Sequence, residues 1–210
     1  MKDEKKRGRP RAFDAAKTIS RAREVFWDRG FTGASLDNLS EATELNRPSL
    51  YGAFGDKLDL YIDTLEGYRA DSNIALDKAL DPSLPIRKNV ANIYDTALAI
   101  YLHGELGPRG CFLIGTATVE SVQHPRVQEV LRRSLNEFDA KIESRLQLAV
   151  EQGELPERTD PKTLAKLTSA IMHSLAVRSR AGDSEESLRT LAAAGGEMIC
   201  GRAETEIDRR

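Results

Sequence analysis

Apolar residues recur along this chain three and four positions apart, which places them on one face of a helix, and sustained apolar–polar alternation is absent. The pattern predicts an all-α protein. A first helix runs from Asp14, an N-cap, to Arg29, with Gly30 as its stop and Ile19, Ala22, Val25 and Phe26 on its apolar face. Ser35 caps a short second helix that turns Leu36 and Leu39 inward. Thr43 to Asn46 form a turn, and Asn46 caps a third helix with Pro48 in its first turn, where a missing N–H costs little. Asp56 caps a fourth helix, roughly 57–80, ending near Pro82. Beyond it the elements lengthen. Helices are expected near 86–104, 110–121, 125–152, 161–181 and 184–204, separated by "GPRG", "HP", "GELPERTDP" and "AGDS". The chain therefore divides into three short helices, one connecting helix and a larger bundle.

The third helix, in "NRPSLYGAF", is too short to hold alone. Leu50 and Phe54 lie four apart on one face, while Arg47, Pro48, Ser49 and Tyr51 fall elsewhere. Three compact helices, the last two joined by a four-residue turn, form the pattern of a helix-turn-helix, whose last helix enters the DNA major groove. That groove, about 12 Å wide, admits one helix. Arg47 is then placed to bond guanine O6 and N7, and Ser49 and Tyr51 to reach base edges or phosphates. Lys57 and Ser35 open helices whose N-termini favour phosphate. Gly52 and Ala53 offer no long side chain, so base reading concentrates on Arg47.

Charge adds one element to this picture. The 210 residues sum to a net charge of −2, but residues 1–11 carry six Lys/Arg against Asp3 and Glu4, whereas residues 12–60 hold six basic and eight acidic side chains. The basic arm is expected to supply nonspecific attraction to nucleic acid. Within it "RGRPR", Arg7 to Arg11, resembles the core of an AT-hook, which would take Arg9 and Arg11 into a narrow minor groove; loose phosphate contact from a disordered tail is the plainer expectation. No apolar run approaches the roughly 20 residues of a membrane span, and the charged N-terminus is unlike a secretory signal. Cys111 and Cys200 are expected as free thiols in a reducing cytoplasm.

The run "SLDNLSEATELNRPSLYGAFGDKLDLYIDTL", Ser35 to Leu65, resembles the DNA-binding domain of the tetracycline-repressor (TetR) family. Ser35, Asn46, the Leu50–Tyr51 pair, Phe54 and Lys57 stand where that family has its helix openings, aromatic and lysine, and "RGFTGASL" is similar to its link between helices 1 and 2. One departure is Glu44, where the family usually has glycine; a positive φ there costs on the order of 1 kcal/mol. The resemblance implies a flexible basic arm at 1–12, a helix-turn-helix domain at 13–58 and a ligand-binding and dimerisation domain at 59–210. It implies a repressor released from a palindromic operator by a small-molecule effector, and a homodimer through the last two helices. The "AAAGG" run, Ala192 to Gly196, fits such close helix approach, as it would fit close packing within one chain.

For the effector pocket the candidates are Tyr94, Tyr101, Phe112, Thr116, Phe138, Met172 and His173. His103 is read instead as a helix C-cap and His124 as a loop residue. Cys111 follows Gly110 at a helix start near Arg109, a setting that lowers a thiol pKa, so a redox-responsive regulator sensing through Cys111 is an alternative, beside plain burial of a small residue. A helical binding module without DNA affinity is another. No nucleophile–base constellation suggests an enzyme, and the scattered histidines lack the spacing of a metal site. No cofactor is expected.

Overall fold

The computed structural model describes residues 14–104 and 107–201, so the basic arm with Arg9 and Arg11 lies outside the described residues. The described residues form helices, with no strand among them.

Local capping sets the first half. Asp14 accepts from the Lys17 amide and opens α1, Ala15–Gly33, whose regular part is interrupted at Gly30, with φ 69°. The chain then makes one further turn, so Gly30 breaks the helix without ending it. Ser35 and Asn38 form a reciprocal capping box at the start of α2, Leu36–Thr43. Asn46 accepts from the Ser49 amide and opens α3, Arg47–Phe54. Between them Glu44 adopts the left-handed conformation, φ 59°, that glycine would enter without strain. Its carboxylate pairs with Arg21 at 3.0 Å. Asp56 and Asp59 form a second capping box at the start of α4, Lys57–Ala79.

The second half holds α5, Ile86–Tyr101; a π-helical turn, Leu113–Ala117, running into a short α6, Thr118–Glu120; α7, Pro125–Glu151; α8, Pro161–Ala181; and α9, Glu185–Cys200. The stretch expected as one α-helix over 110–121 departs most from the sequence reading. The Arg109 and Gly110 amides both bond the Tyr101 carbonyl, at 2.9 and 3.1 Å, so the chain folds back on the end of α5 before it can enter a helix. Gly110 has φ 65° and lies so close to the Ala176 carbonyl that a Cβ would overlap it. α9 ends at Cys200, with Gly201 at φ 75°, rather than near 204.

A continuous core joins the halves. Phe26, Leu39 and Leu65 of the N-terminal helices are fully buried, as are Phe112, Leu146 and Leu175 of the bundle, each contributing about 1.5–3 kcal/mol. At the far end Arg145 is buried, and its guanidinium donates to Asn89 Oδ1 (2.7 Å), the Leu84 carbonyl (2.8 Å) and Glu154 (2.9 Å), tying α5 to α7. No helix among the described residues is long and apolar enough to cross a membrane.

Candidate functional site

α3 meets the protein through Leu50, 4% exposed, and half-buried Phe54. Arg47, Pro48, Ser49, Tyr51, Gly52 and Ala53 are all exposed, so the structure brings four of the sequence-predicted residues onto one open face. Arg47 is not free on that face. Its Nη2 donates to Asp37 Oδ1 at 2.6 Å, a link from α3 to α2 that the sequence reading missed, because it depends on how the two helices cross. Gly52 has no described atom within 4 Å of where a Cβ would stand.

At the two expected phosphate sites the structure shows the local partners of each side chain and helix start. The Ser35 hydroxyl accepts from the Asn38 amide and donates to Asn38 Oδ1, so it acts as a cap. The Asp59 amide at the start of α4 is taken by Asp56, and two carboxylates sit at that terminus. The Lys57 ammonium lies 4.6 Å from the centre of the Phe31 ring; burial lowers its pKa, and the nearby Glu120 partly opposes that.

Behind these helices an aromatic cluster connects the reader to the bundle. Trp27 of α1 packs edge-on to Tyr68 (5.1 Å) and against Phe112 (5.4 Å), while Phe26 and Phe31 both contact Tyr61. The Tyr61 hydroxyl donates to Thr116 Oγ1 at 2.7 Å. Arg109 stacks on Trp27 at 3.8 Å and pairs with Glu24.

Beyond the cluster a cavity of about 60 Å³, partly open to solvent, lies between α4, α5, the π-helical turn, α7 and α8. Tyr101, Phe138, Met172 and His173 line it, as the sequence reading expects. Tyr94, Phe112 and Thr116 do not. Phe112 is the centre of the aromatic cluster, Thr116 is held by Tyr61 and by the Phe112 carbonyl, and Tyr94 is buried against α9 beside Gly195. The sequence reading missed Tyr68, Ser72 and Thr96, which reach the cavity from α4 and α5; their only signal was a polar residue on an otherwise inward face.

Cys111 also lines the cavity and is 8% exposed. The expected lowering of its pKa does not occur. Burial raises it, outweighing hydrogen bonds from the Leu113 and Ile114 amides and from the Tyr68 and Tyr101 hydroxyls, and Arg109 is turned away to Glu24. The thiol is thus held protonated, which disfavours it as a thiolate sensor. His173 has its pKa lowered by burial, opposed by Asp139. His103 bonds the Ala99 carbonyl at the end of α5.

On α8 and α9, Leu167, Val177 and Met198 are exposed. Gly195 explains half of the "AAAGG" run within the chain, since a Cβ there would stand 3.0 Å from Ile171, while Gly196 has open space around it among the described residues.

Comparison with known proteins matches both halves. The family model for bacterial regulatory proteins of the tetR family matches residues 19–64, and that for the tetracyclin repressor-like C-terminal domain matches residues 88–194. The transcriptional repressor ComR of Escherichia coli K12 is 28% identical over 202 residues, covering 90% of this chain and 90% of ComR. YezE of Bacillus subtilis 168, an uncharacterized HTH-type regulator, is 29% identical over 161 residues, 76% of this chain and 82% of YezE. Among solved structures, a cysteine mutant of the TetR family regulator CifR, complexed with 26-bp double-strand operator DNA, is 30% identical, covers 90% of this chain and 98% of its own, and superposes with a TM-score of 0.77. With an exposed reading helix in front, a helical bundle behind and family matches to each, the chain belongs to the tetR family of bacterial regulatory proteins.

Proposed function

We propose that this protein is a homodimeric, ligand-responsive repressor that holds a palindromic operator until a small molecule enters the cavity between α4, α5, α7 and α8. The observation that carries the reading is α3 itself: six of its eight residues are bare, and the two inward ones fix it against its neighbours α2 and α4. A helix so exposed gains its use from what it docks against, and the operator complex of CifR, related over most of the chain, supports duplex DNA as that surface. Residues 13–58 serve as reader, residues 59–210 as effector and dimerisation domain, and the arm at 1–12, through Arg9 and Arg11, adds nonspecific attraction. The dimer forms through α8 and α9, where Leu167, Val177 and Met198 would be covered. A two-fold dimer doubles the few base pairs one helix can read. The protein works by binding rather than catalysis, in the cytoplasm.

α4 links the two sites, since Lys57 begins it beside the reader and Tyr68 lies in the cavity wall. An effector that prefers a different spacing of the two readers shifts the population away from the operator-bound form. A mobility-shift assay on the DNA upstream of the coding region, with light scattering at micromolar protein, tests the reading. A retarded band that survives nonspecific competitor and a dimeric mass are expected; a monomer, or retardation lost to competitor, would overturn it.

A further inference from the structure

The cavity wall says what kind of molecule the site takes. It is mainly apolar, with Leu76, Ile93, Leu113, Leu135 and Met172 among its surfaces, and no formally charged side chain lines it among the described residues. The neighbouring acids of α7 are turned elsewhere: Glu137 accepts from Arg69 and Asn73, and Asp139 from Ser169. Arg109 and Arg180 lie on the other side of Cys111 and Ile114, outside the cavity. His173, its pKa lowered by burial, adds no positive charge at neutral pH. A carboxylate or ammonium entering this space would lose its water without gaining a counter-charge.

One end of the cavity is different. The Tyr68 hydroxyl, 6% exposed, donates to Cys111 Sγ at 3.5 Å and is itself reached by the Ser72 hydroxyl and the Phe112 amide, and the Tyr101 hydroxyl, 3% exposed, also interacts with that thiol. Thiol sulfur is a weak acceptor, so two buried phenol donors rest on a poor partner. An oxygen acceptor offered from the cavity would be preferred. We propose that the cavity binds an uncharged, mainly apolar small molecule carrying one hydrogen-bond-accepting oxygen, which replaces the Cys111 sulfur as the acceptor of the Tyr68 and Tyr101 hydroxyls. This rests on the reading of the cavity as the effector site and names the chemical class that site selects.

Three matched probes test it on the full chain without DNA: cyclohexyl methyl ketone, ethylcyclohexane and cyclohexanecarboxylate. Equilibrium dialysis gives affinity, and the emission of Trp27, the chain's one tryptophan, 5.1 Å from Tyr68, reports where binding occurs. The ketone is expected to bind saturably, change Trp27 emission, and bind at least about tenfold more tightly than the carboxylate. Tyr68→Phe and Tyr101→Phe should each weaken the ketone roughly three- to tenfold and leave ethylcyclohexane unchanged. Cys111→Ala, which removes the resident acceptor, should tighten the ketone, and it keeps the test open should a tyrosine variant fail to fold. Equal binding of ketone and carboxylate, an unchanged ketone affinity in all three variants, or no binding of any probe would overturn the proposal. Because dialysis contains no DNA, its failure leaves the mobility-shift result standing, and the reverse holds equally.

Discussion

The outer face of α3 and the wall of the cavity treat polar groups in opposite ways. On α3 they are exposed, and the amides beneath them are satisfied within three residues, as in the Asn46–Ser49 cap. In the cavity they are buried and satisfied across the fold, as where the Tyr68 hydroxyl meets the Cys111 sulfur, 43 positions away. The first surface is held in place by little and is free to meet another molecule. The second is held by everything around it, and its few hydrogen bonds are correspondingly consequential. In the proposed repressor the open face would meet DNA and the closed one would select the small molecule.

The largest effect that separates the two regions is on stability. Phe112→Ala, at the fully buried centre of the aromatic cluster, should cost about 3–5 kcal/mol by denaturant unfolding, whereas Tyr51→Ala on the open face should fall within about 0.5 kcal/mol of the parent. Comparable losses in both would break the comparison. Next comes base reading. Arg47→Ala should relax sequence preference by about 1–3 kcal/mol, scored against single-base operator variants, with little change in stability because its pair with Asp37 is solvent-exposed. Lys57→Ala should instead weaken all sequences alike and flatten the salt dependence. A sharper probe is Gly52→Ala. With open space around it, alanine should stabilise the fold by roughly 0.5–1 kcal/mol, and a simultaneous loss of operator affinity would show that the missing side chain makes room for DNA. Greater stability with unchanged affinity would remove that role.

The smallest effect tests the closed region through pH. His173 has its folded-state pKa lowered by burial, so below about 6.5 the unfolded chain takes up the proton more readily than the folded one. Its contribution to stability is present above that value and is lost as pH falls towards the folded pKa. His173→Gln should therefore lose less Tm than the parent on going from about pH 7.5 to about pH 5.5; an equal loss would assign the acid sensitivity to other groups.

The same contrast explains what the sequence made legible. Asp14, Ser35, Asn46 and Asp56 act as caps through bonds to residues three positions on, and local chemistry of that range is written in the order of residues. The inward role of Leu50 followed from the same local logic, whereas the left-handed turn at Glu44 was raised only by the resemblance to a family with glycine at that place. The Asp37–Arg47 pair did not, since it spans ten positions and depends on a helix crossing. In the cavity, Met172 and His173 were named only as candidates on a helix that the resemblance sets beside the pocket, and Tyr68 belongs to a helix read mainly as a connector. Phe112 was misassigned because the fold-back at Gly110 points it away from the cavity and into Trp27. The reactive reading of Cys111 failed for a related reason: its position after Gly110 was legible, but the burial and the departure of Arg109 towards α1 were not.

The π-helical turn at Leu113–Ala117 has one more consequence. Such a turn closes its hydrogen bonds over one residue more than an α-helix does, so it accommodates an extra residue without disturbing the helices on either side. That places Leu113 and Ile114 against the cavity while Thr116, two positions on, meets Tyr61. A chain shortened by one residue here could close as regular α-helix with the flanking helices undisturbed, but the widened turn that sets Leu113 and Ile114 against the cavity while Thr116 meets Tyr61 would be lost. The length of this segment is therefore as much a determinant as its composition. Homologues that differ by a single deletion between Leu113 and Ala117 would be expected to keep the fold while uncoupling what the cavity holds from what α1 and α4 feel.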